Sequence, residues 1–277
     1  LINHIQNTKP TNNGTRETTF SALPLGAAVA LPLGGVFGFN GALSLIAAQR
    51  PMVLNPIFKA DDFARQLMQY KVTQWNGADE MIDQLLQTDI DEESLERHTQ
   101  VGFATFNVAL SDIVERAEDR GLRLVSLWGM SEMQALAAKR DPERDTQERR
   151  RMGGELTSPT AQVRARDPQT GELLPHGEPG EIEIAGPSRM LGYFQNEAAT
   201  AEAVTEDGFV RTGDLGRTES DQSFEFITRM GDVMRLGGFL VSPAEVEEEI
   251  KLVPGIADVQ VVAAPSAAGH RAVAFVI

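Results

Sequence analysis

The segment LSDIVERAEDRGLRLVSLWGMSE, residues 110–132, decides the fold class. Residues 110–120 read as a helix, closed by Gly121 at the C-terminal cap, where glycine is favoured because it enters the left-handed region freely. Residues 122–127 follow as a short apolar strand that reads as buried, and GMSEMQALAAK (129–139) resumes as helix. A helix, a glycine turn and a buried strand in succession predict an α/β sheet.

Working towards the N-terminus, KADDFARQLMQYKV (59–72) is an amphipathic helix. Asp61 and Asp62 sit in its first turn, where the helix dipole favours acids, and Phe63, Leu67 and Tyr70 share one face. Residues 78–87 read as another helix, and residues 88–99 as an acidic, exposed stretch. Residues 23–48 are apolar and glycine-rich. Pro24, Pro32 and the glycines interrupt them, which predicts a buried strand–turn–helix, not a membrane span. Residues 41–49 are its helix, Pro51 stops it, and residues 52–54 form a short strand. Residues 1–20 are polar and loop-like.

Towards the C-terminus, DPERDTQERRR (141–151) reads as a solvated charge run. From Gly153 the period changes. QVRARD (162–167), GEIEIA (180–185), FVRTGD (209–214) and FEFITR (224–229) are strand-like and separated by turns such as DPQTG and PHGEPG, so a mostly antiparallel sheet is expected. VSPAEVEEEIK (241–251) then starts a helix with Ser242 as cap, Pro243 at the first helical position and Glu245 completing a capping box. ADVQVVAA (257–264) and HRAVAFVI (270–277) are β-rich. The expected organisation is a large domain over residues 1–229, made of layered sheets and helices with a β-rich subdomain and incomplete near its start. The beginning of a small, mobile α+β domain follows over 230–277, truncated inside a strand.

Composition narrows the chemistry. The net charge of −15 disfavours a nucleic-acid partner. With no cysteine, disulfides, zinc–thiolate sites and a cysteine nucleophile are excluded, which suits a reducing, cytoplasmic setting. The four histidines, His4, His98, His176 and His270, have no ligand spacing. GxSxG, HExxH and GxGxxG are absent.

Four segments remain as candidates; of these, PTNNGTRETT (10–19) has Gly, Thr and Arg in a loop that could cradle phosphate, but it lacks GxxxxGK[ST] and no Lys follows. SLWGMSE (126–132) passes from strand to turn at the carboxyl end of a buried strand, where ligands collect in open α/β sheets. Trp128 offers a flat apolar face, Ser131 a hydroxyl for a phosphate oxygen, and Glu132 a hard oxygen for Mg²⁺. Taken alone, the segment reads rather as a core Trp with a helix cap. RTGDLG (211–216) holds Asp214 in a glycine-flanked turn that suits a ribose diol or an ordinary Asx turn. RMGDVMRLGGFLVSPAEVE (229–247) carries Gly237–Gly238, either an interdomain junction or a hairpin turn.

Four ordered blocks carry a resemblance: LWGMSE (127–132), TGELLPHGEPGEIEIAGPSRMLGYFQNEAATAEA (170–203), DGFVRTGDLG (207–216) and ITRMGDVMRLGGFLVSPAEVE (227–247). In this set the chain resembles the adenylate-forming superfamily of acyl- and aryl-CoA synthetases, luciferases and peptide-synthetase adenylation domains. The resemblance covers residues 100–277 and extends more loosely from Pro32. It implies ATP-dependent activation of a carboxylic acid to an acyl-adenylate and thioester formation with coenzyme A, with ATP, Mg²⁺ and coenzyme A as cofactors. By the same resemblance Trp128, Gly129 and Met130 lie near adenine, and Ser131 near the α-phosphate. Glu132 is the Mg²⁺-associated acid, Asp214 the ribose aspartate, and Arg229 also approaches the ribose. Gly237 and Gly238 lie in the loop of the thioester stage.

Departures from the pattern are equally specific. PTNNGTRETT (10–19) is a poor match to the family's phosphate loop ending in Pro-Lys. Gly35 stands where many members carry His, and Gly231 where they carry Asp or Lys. The late lysine of the family has no counterpart before Ile277, so these 277 residues alone are expected not to adenylate. Loading of a carrier protein and a non-catalytic, adenylate-binding relic are the alternatives, and a homodimer is compatible with the sequence. PLGGVFGFNG (32–41) supplies apolar walls, so an aliphatic or aromatic acid is expected over an amino acid.

Overall fold

The computed structural model describes residues 27–277 except 56, 97–99, 105–109, 111, 233, 237–238 and 267–268. A parallel half comes first: β1 (Ala27–Val29), β2 (Met52–Leu54), β3 (Gln74–Ala78), β4 (Gln100–Ala104) and β5 (Leu124–Trp128). They lie in the order β2-β1-β3-β4-β5, all parallel. The connections run through α1 (Val36–Ala47), α2 (Ala60–Gln69), α3 (Asp79–Leu86), α4 (Glu92–Glu96) and α5 (Ile113–Asp119). This is the α/β reading of the sequence, with helices crossing between parallel strands.

At β5 the sheet changes character without a break. β6 (Ala138–Lys139) pairs antiparallel with the end of β5 and also with β7 (Gly153–Leu156). Beyond β7 come β12 (Ser223–Arg229), β11 (Val210–Ser220), β10 (Pro179–Ala185), β8 (Gln162–Arg166) and β9 (Leu173–Leu174), each antiparallel to its neighbour. Twelve strands thus form one sheet. Every residue of β5 is buried, and its ends belong to different cores. Leu124 packs with Phe63, Leu67, Trp75 and Phe103, whereas Trp128 packs with Val163, Ile182, Ile184 and Phe224. Burying each large side chain contributes roughly 1.5–3 kcal/mol, so this one strand ties the two halves together.

Past β12 the chain forms a smaller α+β unit: β13 (Met234–Leu236), β14 (Phe239–Val241), α8 (Pro243–Lys251), β15 (Val259–Ser266) and β16 (Gly269–Val276). Its strands make two separate two-stranded sheets. Met234, Val259 and Val261 make its core with Val241, Val246 and Ile250. Ser242 Oγ caps α8 by accepting from the Glu245 amide at 3.4 Å, one half of the expected capping box.

Several expectations are corrected. Residues 129–139 do not continue as helix. A single 3₁₀ turn (Ser131–Met133) ends at Gln134 and Ala135, both left-handed at φ 62°, and β6 follows. Leu136, Ala137 and Ala138 are buried against the strands, and that packing overrides their helix propensity. The charge run at 141–151 is not simply solvated. It contains α6 (Thr146–Arg150), and Arg149 is 1% exposed. Arg149 donates to the Leu124 and Arg144 carbonyls, to Thr146 Oγ1 and to Glu118. Arg140 is likewise buried, bonded to the Arg151 carbonyl and to Glu219. Within 88–99, Ile90 and Leu95 are core residues, and Phe63 and Leu67 of α2 are buried while Tyr70, the cap residue after it, is exposed. The helix expected at 41–49 begins earlier, at Val36, and that at 110–120 is shorter, Ile113–Asp119.

Candidate active site

Where β5 ends, the chain opens into a cleft of about 1240 Å³. Trp128, Gly129, Met130, Ser131 and Glu132 form one wall, and Arg211, Thr212, Gly213 and Arg229 the facing one. Val36, Phe37, Ala104, Leu127, Ala135 and Leu136 add an apolar side. Gly35 is the N-cap residue of α1, and its neighbours Val36 and Phe37 reach the cleft instead.

Gly129 is dictated by close approach. A Cβ there would lie 2.5 Å from the Ala135 carbonyl carbon, so the chain must fold back on a bare backbone. The returning segment is held by hydrogen bonds from the Ala135 amide to the Met130 carbonyl and from the Ala137 amide to the Trp128 carbonyl. Asn40, buried in α1, donates through Nδ2 to the Gln134 carbonyl at 2.7 Å, and Ser44 donates to Asn40 Oδ1. The strained pair Gln134–Ala135 is thus fixed from behind.

Trp128 lines the cleft, and Asp214, 86 residues away in sequence, meets it from behind, outside the lining. The indole Nε1 donates to Asp214 Oδ2 at 2.9 Å, and the ring packs edge-on against Phe224. The indole is thus largely a core group, 6% exposed. Asp214 sits opposite Arg229 in the β11–β12 ladder. Arg229 Nη1 lies 2.9 Å from Asp214 Oδ1 but off the hydrogen-bonding direction, so that buried oxygen has a charge beside it and no aligned donor. The same Nη1 donates to the Thr212 carbonyl at 3.4 Å. Burial pushes the Asp214 carboxyl up to about 6, against the pull of Arg229 and the indole, and Glu181 adds a like charge. Burial also raises Glu181, which the Gly213 amide and Arg211 oppose.

Ser131 is exposed at the cleft mouth and Glu132 half-buried. Glu132 Oε1 accepts from the Tyr193 hydroxyl at 2.7 Å. Among the described residues, no group of three or more His, Cys, Asp or Glu could hold a metal alone. Magnesium, which keeps waters and nucleotide oxygens in its shell, needs only one or two carboxylates, so Glu132 fits it. The structure therefore brings Trp128, Gly129, Met130, Ser131, Glu132 and Arg229 to the lining of one cleft, and places Asp214 outside that lining, buried behind Trp128 and beside Arg229. Gly237 and Gly238 lie outside the described residues. Sequence reasoning missed Tyr193, Glu181, Arg211 and Asn40. Tyr193 lies inside the quoted 170–203 block, where its side-chain partner could not be read.

A family profile described as AMP-binding enzyme matches residues 10–194, two-thirds of the chain. This chain belongs to the AMP-binding enzyme family. Among curated relatives of this AMP-binding enzyme, 4-coumarate–CoA ligase-like 9 of Arabidopsis thaliana is 30% identical over 254 residues, 89% of this chain and 44% of the relative. The 4-coumarate–CoA ligase 1 of the same plant is 42% identical over 118 residues, 42% of this chain and 21% of the relative. The ATP-bound crystal structure of MatB from Rhodopseudomonas palustris superposes with TM-score 0.78 at 27% identity, over 91% of this chain and 49% of that one. O-succinylbenzoate coenzyme A synthetase from Bacillus subtilis, in complex with ATP and magnesium, shares the fold at TM-score 0.76 and 22% identity, over 99% and 54% of the two chains. The chain spans less than half the length of these two curated relatives. No described helix is long and apolar enough to cross a membrane.

Proposed function

We propose that this AMP-binding enzyme activates a carboxylic acid with ATP and passes the acyl group to coenzyme A. The observation that carries the proposal is the cleft at the end of β5, lined by Trp128–Glu132 and Arg229, with Asp214 buried directly behind Trp128 and beside Arg229. A carboxylate that is 1% exposed, raised by burial and lacking an aligned donor on Oδ1 is costly unless a ligand completes it. A ribose hydroxyl that reached Oδ1 past Trp128 and Arg229 would supply the missing donor. Arg229, beside Asp214, would then face the same sugar. The relatives named as CoA ligases and the ATP-bound MatB structure support the same reading.

In this scheme the acid's oxygen attacks the α-phosphorus, the bond to the β-phosphate oxygen breaks, and pyrophosphate leaves. The thiol sulfur then attacks the acyl carbon, AMP departs with the bonding pair, and the thiol proton is released. The residues of this chain act mainly by positioning and charge. Trp128–Met130 border the adenine, and Ser131 faces the α-phosphate. Magnesium, held at Glu132, would supply charge neutralisation of the triphosphate. Two arginines and three glutamates line the cleft (Arg211, Arg229; Glu132, Glu181, Glu202), so the lining itself offers no net positive charge to ATP. The apolar side from Val36, Phe37, Leu127 and Leu136 suits an aliphatic or aromatic acid. A boundary after Arg229, with the α+β unit moving between the two steps, belongs to the same proposal.

Two measurements test it. Calorimetry with AMP should show binding that Asp214→Ala weakens at least tenfold, the loss of one charge-assisted bond at roughly 1.5–3 kcal/mol. A panel of acids in pyrophosphate exchange, with the enzyme in its natural full length, should show turnover with apolar acids. Unchanged AMP binding in D214A, or preference for an amino acid, would overturn the corresponding part.

A further inference from the structure

Beside the cleft, the loop at 186–196 is fastened to the Ser131–Met133 turn at two points. The Met190 amide donates to the Glu132 carbonyl at 2.7 Å, and the Tyr193 hydroxyl donates to Glu132 Oε1 at 2.7 Å. The far side of the loop is anchored as firmly, against α7 (Glu197–Ala203). The Tyr193 amide donates to Thr200 Oγ1 at 2.9 Å, and that hydroxyl donates to the Asn196 carbonyl at 2.8 Å. Asn196 Oδ1 in turn accepts from the Ala199 amide at 3.0 Å. Backbone anchors therefore fix the phenol's position before it meets the carboxylate.

The bond divides the work of the two carboxylate oxygens. Oε1 is occupied by the phenol, whereas no described residue donates to Oε2. A carboxylate free to turn would lose rotamer entropy on meeting a metal, and one held by a neutral donor has already lost it.

We propose that Tyr193 is a positioning residue for the metal-bound phosphates: its hydroxyl fixes the Glu132 rotamer so that one oxygen remains for the divalent cation carried by the nucleotide. The inference rests on reading the cleft as an ATP·Mg²⁺ site. It predicts a defect confined to metal-dependent binding, because the Tyr193 hydroxyl is hydrogen-bonded to Glu132, whereas Asp214 is bonded to Trp128.

The test is binding of Mn²⁺ in the presence of α,β-methylene ATP, which cannot release pyrophosphate, followed by loss of the free-Mn²⁺ electron paramagnetic resonance signal. AMP binding without metal is measured alongside. Tyr193→Phe removes one oxygen from a side chain that is 39% exposed, so the fold should be retained. The expected result is about tenfold weaker Mn²⁺ binding, the usual scale for losing a group that orients a metal ligand, with AMP affinity unchanged. Thr200→Val, which loosens the phenol's anchor without removing it, should shift Mn²⁺ binding in the same direction by less. Equal Mn²⁺ binding by Y193F and the parent overturns the positioning role and leaves the ATP reading intact. Loss of AMP and Mn²⁺ binding together overturns it in favour of a merely structural loop. A parent protein that binds neither AMP nor the Mn²⁺ complex overturns the ATP reading itself.

Discussion

Replacing Asp214 by Asn keeps the shape of a buried side chain and removes its charge. In the folded protein the carboxyl is raised from 3.8 to about 6, chiefly by burial. At 1.36 kcal/mol per decade, that gap is worth about 3 kcal/mol in the limit. The sign follows from which state binds the proton more tightly. Here the folded state does, so the stability contribution is complete below about pH 4, drains between about pH 4 and 6, and is gone above that. The amide of the D214N variant cannot titrate. Measured against the parent, D214N should therefore gain stability as pH rises, by about 1.4 kcal/mol between pH 5 and pH 7.5. For a chain of this size, that moves the difference in Tm by about 3 °C. Thermal melts of both proteins at the two pH values read it directly, because every other titrating group is shared. The same substitution should weaken AMP binding at pH 7.5 about tenfold or more through the lost charge. A difference in Tm that stays constant with pH would refute the argument, and would mean that Arg229 and the indole fully offset the burial of the charge.

Three further outcomes follow from the cleft and its supports. Gly129→Ala places a Cβ 2.5 Å from backbone and should lower stability by roughly 1–3 kcal/mol and abolish detectable AMP binding, read by calorimetry. Ala135→Gly relieves a left-handed residue at φ 62° and should raise stability by about 1 kcal/mol in urea melts. Arg149→Met strips hydrogen bonds from the Leu124 and Arg144 carbonyls and should cost about 3 kcal/mol, with AMP affinity per folded molecule unchanged.

The parallel half was legible because its signals are local. A helix, Gly121 and an apolar strand each depend on neighbours a few residues away, and the capping box at Ser242–Glu245 is likewise self-contained. The convergence of Trp128 with Asp214 and Arg229 was reached only through the ordered blocks, since no periodicity links positions 86 residues apart. Arg149 was misread for a physical reason. A run of charges looks the same whether its guanidinium meets water or buried carbonyls, and the carbonyls that accept from Arg149 include that of Leu124, at the start of β5. The turn at 134–135 was hidden in the same way. Gln and Ala are good helix formers, and their left-handed conformation is imposed by β6 pairing and by Asn40.

The continuous sheet has a consequence for how the protein comes apart. Among the described residues its two largest cores share only β5 as a common element, and the cleft takes one wall from residues 128–132 and the other from Arg211, Thr212, Gly213 and Arg229. Anything seated there spans both cooperative units, and its binding energy is available only while both are intact. Without a nucleotide, the antiparallel half and the helix-crossed half can lose hydrogen-exchange protection at different free energies. With a nucleotide at a hundred times its Kd, about 2.7 kcal/mol is added to every opening that disturbs either wall, and the two sets of amides should converge on a single, slower exchange regime.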